Sequence, residues 1–254
     1  MTDPARRYFK PLLRVRGLLF WVPVALTVGV FGPVVCASYV VPLEWRYRIV
    51  RFWTFLTLGS LRAVCGLRHR VEWHGELPPG GKVIFCKHSS TWETFALNRV
   101  LGPMQLVWVV KRELLRIPVF GWGLAAMNSI AIDRASGRQA VQQMIDQGRQ
   151  RLQRGISVVV FPEGTRVRPG HKVRYKLGGA ILAEATGVPV IPVAHNAGDF
   201  WPRHSLIKWP GEIELHVGPA IDTSGKSAQQ INEEAQAWIE GRMAKITCLD
   251  RFPY

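Results

Sequence analysis

The distribution of hydrophobic residues divides the chain into two parts. Residues 17–43 contain no charged side chain, and about 20 apolar residues are enough to cross a bilayer. From residue 70 onwards, short apolar runs alternate with longer amphipathic stretches, a pattern typical of strands and helices that alternate around a mostly parallel sheet. We therefore predict an α/β fold with a mostly parallel central sheet flanked by helices. A basic N-terminus and a membrane-embedded helical element, residues 1–65, would precede this α/β domain, residues 66–254.

Apolar runs and capping signals locate the elements of the second part. Ser227 and Gln230 have the spacing of a capping box before the last helix, and Ser136 and Gly155 are the predicted cap and stop of an earlier one. The predicted strands cover residues 70–73, 83–86, 106–110, 130–132, 156–161, 190–193 and 212–217. The predicted helices cover residues 92–100, 137–154, 177–186 and 227–245.

Helix-breaking residues interrupt the uncharged segment. Gly32-Pro33 is a turn signal near its middle, so we predict two half-length helices that form a re-entrant hairpin in one leaflet. The alternative is a single tilted span. Basic residues flank both ends of the segment, which places both flanks on the cytoplasmic side by the positive-inside rule and favours the hairpin. These residues are Arg6, Arg7, Lys10, Arg14 and Arg16 before the segment, and Arg46, Arg48 and Arg51 after it.

The overall charge indicates anionic partners. The 254 residues carry a net charge of +15, which suits nucleic acid, a phosphorylated substrate or an acidic membrane. A nucleic-acid-binding protein is one alternative, but the uncharged run argues against it and no zinc finger or basic zipper is present. The four cysteines are far apart and lack metal-ligand spacing, so we expect a reducing compartment and no metal site.

A histidine and a carboxylate follow the apolar run 83–86. His88 and Glu93 are five residues apart, which on one regular helix would turn them in different directions. Their side chains can meet only if His88 lies on a loop and Glu93 in the first helical turn, where they would suit a base and its orienting acid. The alternative is that residues 90–93 form a capping box, in which Glu93 only satisfies the backbone.

Three further polar segments follow predicted strands. They are residues 111–114, residues 161–166 and residues 193–196. In open α/β sheets, ligands bind at the carboxyl ends of the strands, so we expect these segments and the His88 loop to share one site. Taken singly, each is also compatible with surface cations or an ordinary turn, and His195 is interpreted as structural.

Together these segments resemble the glycerolipid acyltransferase family, specifically the 1-acylglycerol-3-phosphate O-acyltransferases. In that family a histidine is followed after four residues by an acid; a basic segment with Glu-Leu, the hexapeptide Phe-Pro-Glu-Gly-Thr-Arg and an apolar Val-Pro-Val-Ile-Pro come next. The counterparts here are His88 and Glu93, residues 111–114 with Pro118 and Gly121, residues 161–166, and residues 188–192. The match covers residues 80–220 in the expected order. Glu93 stands where the family usually has aspartate, so the charge is kept and the side chain is one methylene longer.

The resemblance implies roles for particular residues. His88 would be the general base, and Glu93 would fix its tautomer and stabilise the imidazolium. The acceptor phosphate would bind to cations, and the hexapeptide loop would shape the substrate site, with Glu163 holding Arg166 or an acceptor hydroxyl. The implied phosphate-binding residues are Lys111, Arg112 and Arg166, and the implied loop residues are Glu163, Gly164 and Thr165.

The resemblance also implies a reaction and its partners. An acyl group would pass from acyl-CoA or acyl-carrier protein to the sn-2 hydroxyl of lysophosphatidic acid, giving phosphatidic acid for phospholipid synthesis. Another lysolipid or glycerol 3-phosphate is the alternative acceptor. We expect no cofactor beyond the acyl donor, no nucleic-acid partner, and a place in the bilayer at the cytoplasmic face of the bacterial inner membrane.

Overall fold

The centre of the molecule is a seven-stranded sheet. The structure, a computed structural model, describes residues 9–102 and 104–248. The strands are β1 (Leu67–Trp73), β2 (Val83–Cys86), β3 (Leu106–Lys111), β4 (Ile130–Ile132), β5 (Ser157–Val160), β6 (Val190–His195) and β7 (Gly211–Val217). Their order is β1-β7-β6-β2-β5-β3-β4, and the β6–β7 pair is antiparallel whereas the other pairs are parallel. The predicted mostly parallel α/β sheet is confirmed.

Helices cover both faces of this sheet. They are α1 (Lys10–Ala37), α2 (Leu43–Cys65), α3 (Trp92–Val100), α4 (Phe120–Ala126), α5 (Arg138–Gln153), α6 (Gly178–Thr186), α7 (Ala197–Phe200) and α8 (Ala228–Ile246). The predicted capping box of Ser227 and Gln230 is present at the start of α8. The predicted cap of α5 is wrong, because Gly137 occupies that position and the Ser136 hydroxyl donates to Asp133 O instead.

The buried side chains form one apolar layer on each face. In β2, Ile84 and Cys86 belong to the layer under α1, α2 and α3, whereas Val83 and Phe85 belong to the layer under α5, α6 and α8. Successive side chains of a strand point to opposite faces, and because both faces are covered the strand is apolar throughout.

The N-terminal helical hairpin consists of α1 and α2, so the prediction of two half-length helices within residues 17–43 is wrong. Helix α1 continues through Pro23 and Pro33, and the chain turns at residues 38–42 before α2. The two helices are antiparallel, because Trp53 Nε1 donates to Thr27 Oγ1 over 3.1 Å while Cys65 Sγ lies 3.7 Å from Arg16 O.

Packing explains why α1 is not broken at Gly32-Pro33. Val35, two residues further on, is buried in a small cluster that Tyr47 of α2 and Ala126 of α4 complete. These contacts offset the cost of an interior proline, about 3 kcal/mol. Residues 10–40, which comprise α1 and the following turn, are long and apolar enough to cross a membrane by length and composition. Arg6 and Arg7, two of the basic residues expected to flank the membrane segment, lie outside the described residues.

Candidate active site

His88 and Glu93 meet where β2 ends. His88 lies on the loop that follows Cys86, and Glu93 is in the first turn of α3. The His88 Nδ1 and Glu93 Oε1 atoms are 2.7 Å apart. The contact predicted from their spacing is therefore present, since the loop turns the histidine back over the start of the helix.

The Glu93 carboxylate also satisfies the backbone of this loop. Its Oε1 accepts from the N–H groups of Ser89 and Ser90, at 3.2 and 3.1 Å, so the histidine contact and the capping role coexist. The side chain is fully buried. Burial alone would raise its pKa, but His195 and the hydrogen bond from His88 outweigh burial and hold the pKa of Glu93 below its usual value.

This arrangement sets the tautomer of His88. Because Nδ1 faces an ionised carboxylate, it carries the ring proton and leaves a lone pair on Nε2. Within the described part of the chain Nε2 has no hydrogen-bond partner, and it is not one of the buried unpaired atoms, so solvent can reach it. The ring of Phe161 stacks on the imidazole of His88. The two ring centroids are 3.9 Å apart and the ring planes differ by 15°, which limits rotation of the imidazole.

Glu163 lies beneath the site rather than in it. Its Oε2 accepts from the His88 N–H over 2.7 Å, and its Oε1 lies 2.6 Å from Lys87 Nζ. No ion pair joins Glu163 to Arg166 in the described chain, so the expectation that Glu163 holds this arginine is wrong. The hexapeptide glutamate instead fixes the backbone position of His88.

A second carboxylate completes this buried ionic group. Lys87 Nζ is 2.8 Å from Glu240 Oε1, which also accepts from the Tyr175 hydroxyl at 2.9 Å. Burial lowers the pKa of Lys87, but Glu163 and Glu240 outweigh it and the net pKa is raised. Burial also raises the pKa of Glu163, against the opposing effect of Lys87. Tyr175 and Glu240 are distant along the chain, and no sequence pattern pointed to either residue.

The rest of the hexapeptide brings Arg166 to the start of α3. Gly164 has a φ of 71°, a left-handed conformation that glycine adopts without strain. Val167 N–H then donates to His88 O over 2.8 Å, and Arg166 Nη1 donates to Thr91 Oγ1 over 2.9 Å. Arg166 is half-buried beside the His88 loop, while Thr165 is exposed.

Lys111 and Arg112 lie further along the same edge. The strand register places Lys111 level with Lys87 but two strands away, which is roughly 10 Å. Lys111 is 3.0 Å from Glu113, and Arg112 is 2.8 Å from Asp133. Both cations are exposed, so their ion pairs are weak and can exchange for another anion. The structure thus groups Arg166 with His88 and leaves these two cations at the margin.

His195 supports the site from below, as its structural interpretation predicted. Its Nδ1 accepts from Ala197 N–H at 3.3 Å, so Nε2 carries the proton and donates to Lys87 O at 2.8 Å. The side chain is fully buried, and burial lowers its pKa. His195 therefore holds the loop through the hydrogen bond that it donates.

The geometry suits removal of a proton from a substrate hydroxyl. It offers an accessible imidazole nitrogen, a buried carboxylate to stabilise the imidazolium, and a guanidinium nearby. The neighbouring side chains are poor nucleophiles. Ser90 Oγ is buried and donates to Trp201 O, and burial raises the pKa of the Cys86 thiol well above its usual value. Direct transfer to the activated hydroxyl fits these residues better than a covalent enzyme intermediate.

Comparisons with known proteins identify the family. A family model described as "Acyltransferase" matches residues 70–196. A 1-acyl-sn-glycerol-3-phosphate acyltransferase of Pseudomonas aeruginosa is 38% identical over 238 residues, 92% of each chain. The human 1-acyl-sn-glycerol-3-phosphate acyltransferase alpha is 27% identical over 231 residues, which are 90% of this chain and 77% of the human protein.

A solved structure shares the fold. The crystal structure of the 1-acyl-sn-glycerophosphate acyltransferase from Thermotoga maritima superposes with a TM-score of 0.74 at 18% identity, over 91% of this chain and 94% of that one. The resemblance inferred from the four motifs is confirmed. The chain belongs to the acyltransferase family that includes these 1-acyl-sn-glycerol-3-phosphate acyltransferases.

Proposed function

We propose that this protein transfers an acyl group from an acyl thioester to the sn-2 hydroxyl of 1-acylglycerol 3-phosphate, giving phosphatidic acid for phospholipid synthesis. The observation that carries the proposal is the His88–Glu93 pair, 2.7 Å apart, with the second imidazole nitrogen open to solvent and Arg166 hydrogen-bonded to the same loop. The relatives from Pseudomonas aeruginosa and human are named for the same reaction class.

In this mechanism His88 Nε2 takes the proton of the acceptor hydroxyl as its oxygen attacks the thioester carbonyl. Glu93 stabilises the imidazolium that forms, and the proton then passes to the sulfur of the departing thiolate. A well-placed general base contributes about 10²- to 10⁴-fold to the rate. The reaction uses no cofactor beyond the acyl-CoA or acyl-carrier protein that donates the acyl group.

The acceptor phosphate is assigned to the cations at this edge. Of the three proposed cations, Arg166 is the one that is hydrogen-bonded to the loop carrying His88. Its guanidinium can bind a phosphate through two parallel hydrogen bonds. Lys111 and Arg112 extend the positive surface two strands away. Gly164 and Thr165 form the loop that carries Arg166 towards the acceptor.

The protein works at a membrane in this proposal, on the cytoplasmic face of the bacterial inner membrane. Large apolar side chains are exposed along α1 and beside it, just before α4 and in its first turn. These residues include Leu18, Leu19, Val22, Leu26 and Val30, with Ile117, Phe120 and Trp122. Residues 1–65 would hold the protein in the lipid, and residues 66–254 would carry the reaction, so the acceptor need not leave the bilayer.

An acceptor panel with purified protein tests the proposal. We expect transfer to lysophosphatidic acid from acyl-CoA or acyl-carrier protein, and little transfer to a lysolipid or monoacylglycerol without the terminal phosphate. His88→Ala should lower kcat by about 10²-fold or more with an unchanged unfolding midpoint. Transfer by His88→Ala at the wild-type rate would overturn the mechanism, and preference for glycerol 3-phosphate would favour the alternative acceptor.

The same panel examines the phosphate assignment. Arg166→Ala should raise the KM for the phosphorylated acceptor more than it lowers kcat, since a ground-state contact is lost. Arg154→Ala is the matched control, because it removes the same charge from the end of α5, before the amino end of β5 and away from the carboxyl ends of the strands. Equal KM values for the two variants would contradict the role of Arg166.

A further inference from the structure

A second cluster of polar side chains lies on the outermost strand β1 and its neighbour β7, whereas His88 follows the central strand β2. Glu72 of β1 pairs directly with His216 of the parallel strand β7. His74 lies two residues after Glu72, directly after the end of β1. The three side chains therefore share one face, since residues two apart on an extended chain point the same way. His74 Nε2 is 2.9 Å from His216 Nδ1, which is 3.3 Å from Glu72 Oε2.

These separations suit a metal ion. The three donor atoms lie within 4.8 Å of one another. Nitrogen and oxygen ligands bind Zn²⁺ at about 2.0–2.2 Å, and at tetrahedral angles such ligands lie roughly 3.3–3.5 Å apart. We propose that Glu72, His74 and His216 form a binding site for a divalent transition metal of the Zn²⁺ type, with solvent as the fourth ligand.

A fourth residue orients the buried histidine. His216 Nε2 is 3.4 Å from Glu214 Oε2, so with the ring proton on Nε2 this carboxylate would accept it and the Nδ1 lone pair would face the other two donors. A carboxylate on the far nitrogen of a ligating histidine is the usual partner in zinc sites. The His216 side chain is only 3% exposed, whereas the Glu72 side chain is 36% exposed, so an ion can enter from the solvent side.

Trp238 of α8 limits where the His74 ring can lie. The two rings pack with centroids 5.8 Å apart, so the imidazole is held beside His216.

A metal here would join the outermost strand β1 to β7. The ligands lie at the carboxyl end of β1, so the ion would fasten this end of the outermost strand to its neighbour. The sequence predicted no metal site because the ligands come from two strands whose pairing is not visible in it; the Glu72-x-His74 spacing was the only local signal.

Titration of the tag-free protein with Zn²⁺ after EDTA dialysis tests this inference. Isothermal titration calorimetry should show one saturable site per chain, with a higher unfolding midpoint in excess Zn²⁺. His74→Ala should weaken binding about tenfold or more and abolish the rise in midpoint. His204→Ala, which removes an exposed histidine elsewhere, should bind Zn²⁺ like the wild type, and Co²⁺ should give the visible absorption of a tetrahedral site.

Two outcomes would overturn the site. One is the absence of saturable Zn²⁺ binding by folded wild-type protein, which would leave a histidine–histidine hydrogen bond as the explanation of the 2.9 Å distance. The other is wild-type affinity in both His74→Ala and Glu72→Gln. Acyl transfer is not a readout of this experiment, so its result is independent of the proposed enzymatic function.

Discussion

At the scale of single residues, Glu93 shows how one side chain serves both the chemistry and the local fold. Its Oε1 accepts from His88 Nδ1 and from two backbone N–H groups of the same loop. The longer side chain, compared with the aspartate usual in the family, still reaches the histidine because it starts from the first turn of α3. The sequence indicated how this contact could form, since the five-residue spacing restricts how the two residues can meet, and the family resemblance implied that it does form.

The buried ion pair of Lys87 and Glu163 has no such local signature. Both side chains are at most 3% exposed, and burying two charges costs several kcal/mol each unless their hydrogen bonds are satisfied. Here Glu163 is also bonded to the His88 N–H and Lys87 to Glu240. The network therefore specifies the position of the catalytic loop. Because the charges are buried, the loss of any one of them would be destabilising.

Glu163→Gln tests this positioning role. An amide has one accepting and one donating end, so it cannot accept from His88 N–H and from Lys87 at the same time. We expect a loss of stability of up to about 3–5 kcal/mol, the cost of breaking a buried pair. We also expect a lower kcat with a smaller change in KM. Chemical denaturation and steady-state kinetics measure the two effects.

Glu240→Gln is the matched control for that variant. It removes the other carboxylate that pairs with Lys87 but leaves the Glu163–His88 hydrogen bond in place. A fall in kcat shared equally by the two variants would mean that Glu163 acts through stability alone. A fall confined to Glu163→Gln supports its control of the His88 backbone.

At the scale of elements, α1 is attached to the sheet through the loop between α7 and β7. Gly17 packs against the Leu206 backbone with no room for a Cβ atom. Next to it, the buried Lys208 ammonium lies 4.6 Å from the Trp201 ring centroid and 5.2 Å from those of Phe20 and Trp21. Burial lowers the pKa of Lys208 to about 8, and the three rings partly offset its desolvation.

Gly17→Ala should therefore disturb this junction. The added methyl group would overlap Leu206 O, so the loop or the helix must move, and such overpacking typically costs about 1–3 kcal/mol. Gly29→Ala is the control on the same helix, because a Cβ there meets nothing within 4 Å. Thermal unfolding in detergent should show a lower midpoint for Gly17→Ala only. Equal midpoints for the two variants would contradict the close packing of α1 on the loop.

The elements also show which features a sequence can reveal. Strand β2 was predicted at its observed bounds, because four consecutive apolar residues bounded by polar ones suit a strand covered on both faces. The turn at Gly32-Pro33 was predicted wrongly, because the local turn signal was outweighed by packing of Val35 against α2 and α4. Tertiary contacts of this kind, like the pairing of β1 with β7, are not encoded in any short window of sequence.

At the scale of the whole molecule, the hairpin brings its two ends together. Arg16 near the start of α1 lies beside Cys65 at the end of α2, where the sheet begins. The start of α1 and the active-site domain are therefore at the same end of the hairpin. If α1 crossed a bilayer by itself, α2 would have to separate from it and the pairing of Trp53 with Thr27 would be lost.

This geometry predicts the membrane topology. Epitope tags placed before residue 1 and after residue 254 should lie on the same, cytoplasmic side. A protease added to right-side-out spheroplasts should leave both tags intact, and in inverted vesicles it should remove both. Cleavage of only the N-terminal tag in intact spheroplasts would mean that α1 crosses the bilayer alone, and the antiparallel packing of α1 on α2 would then not describe the protein in its membrane.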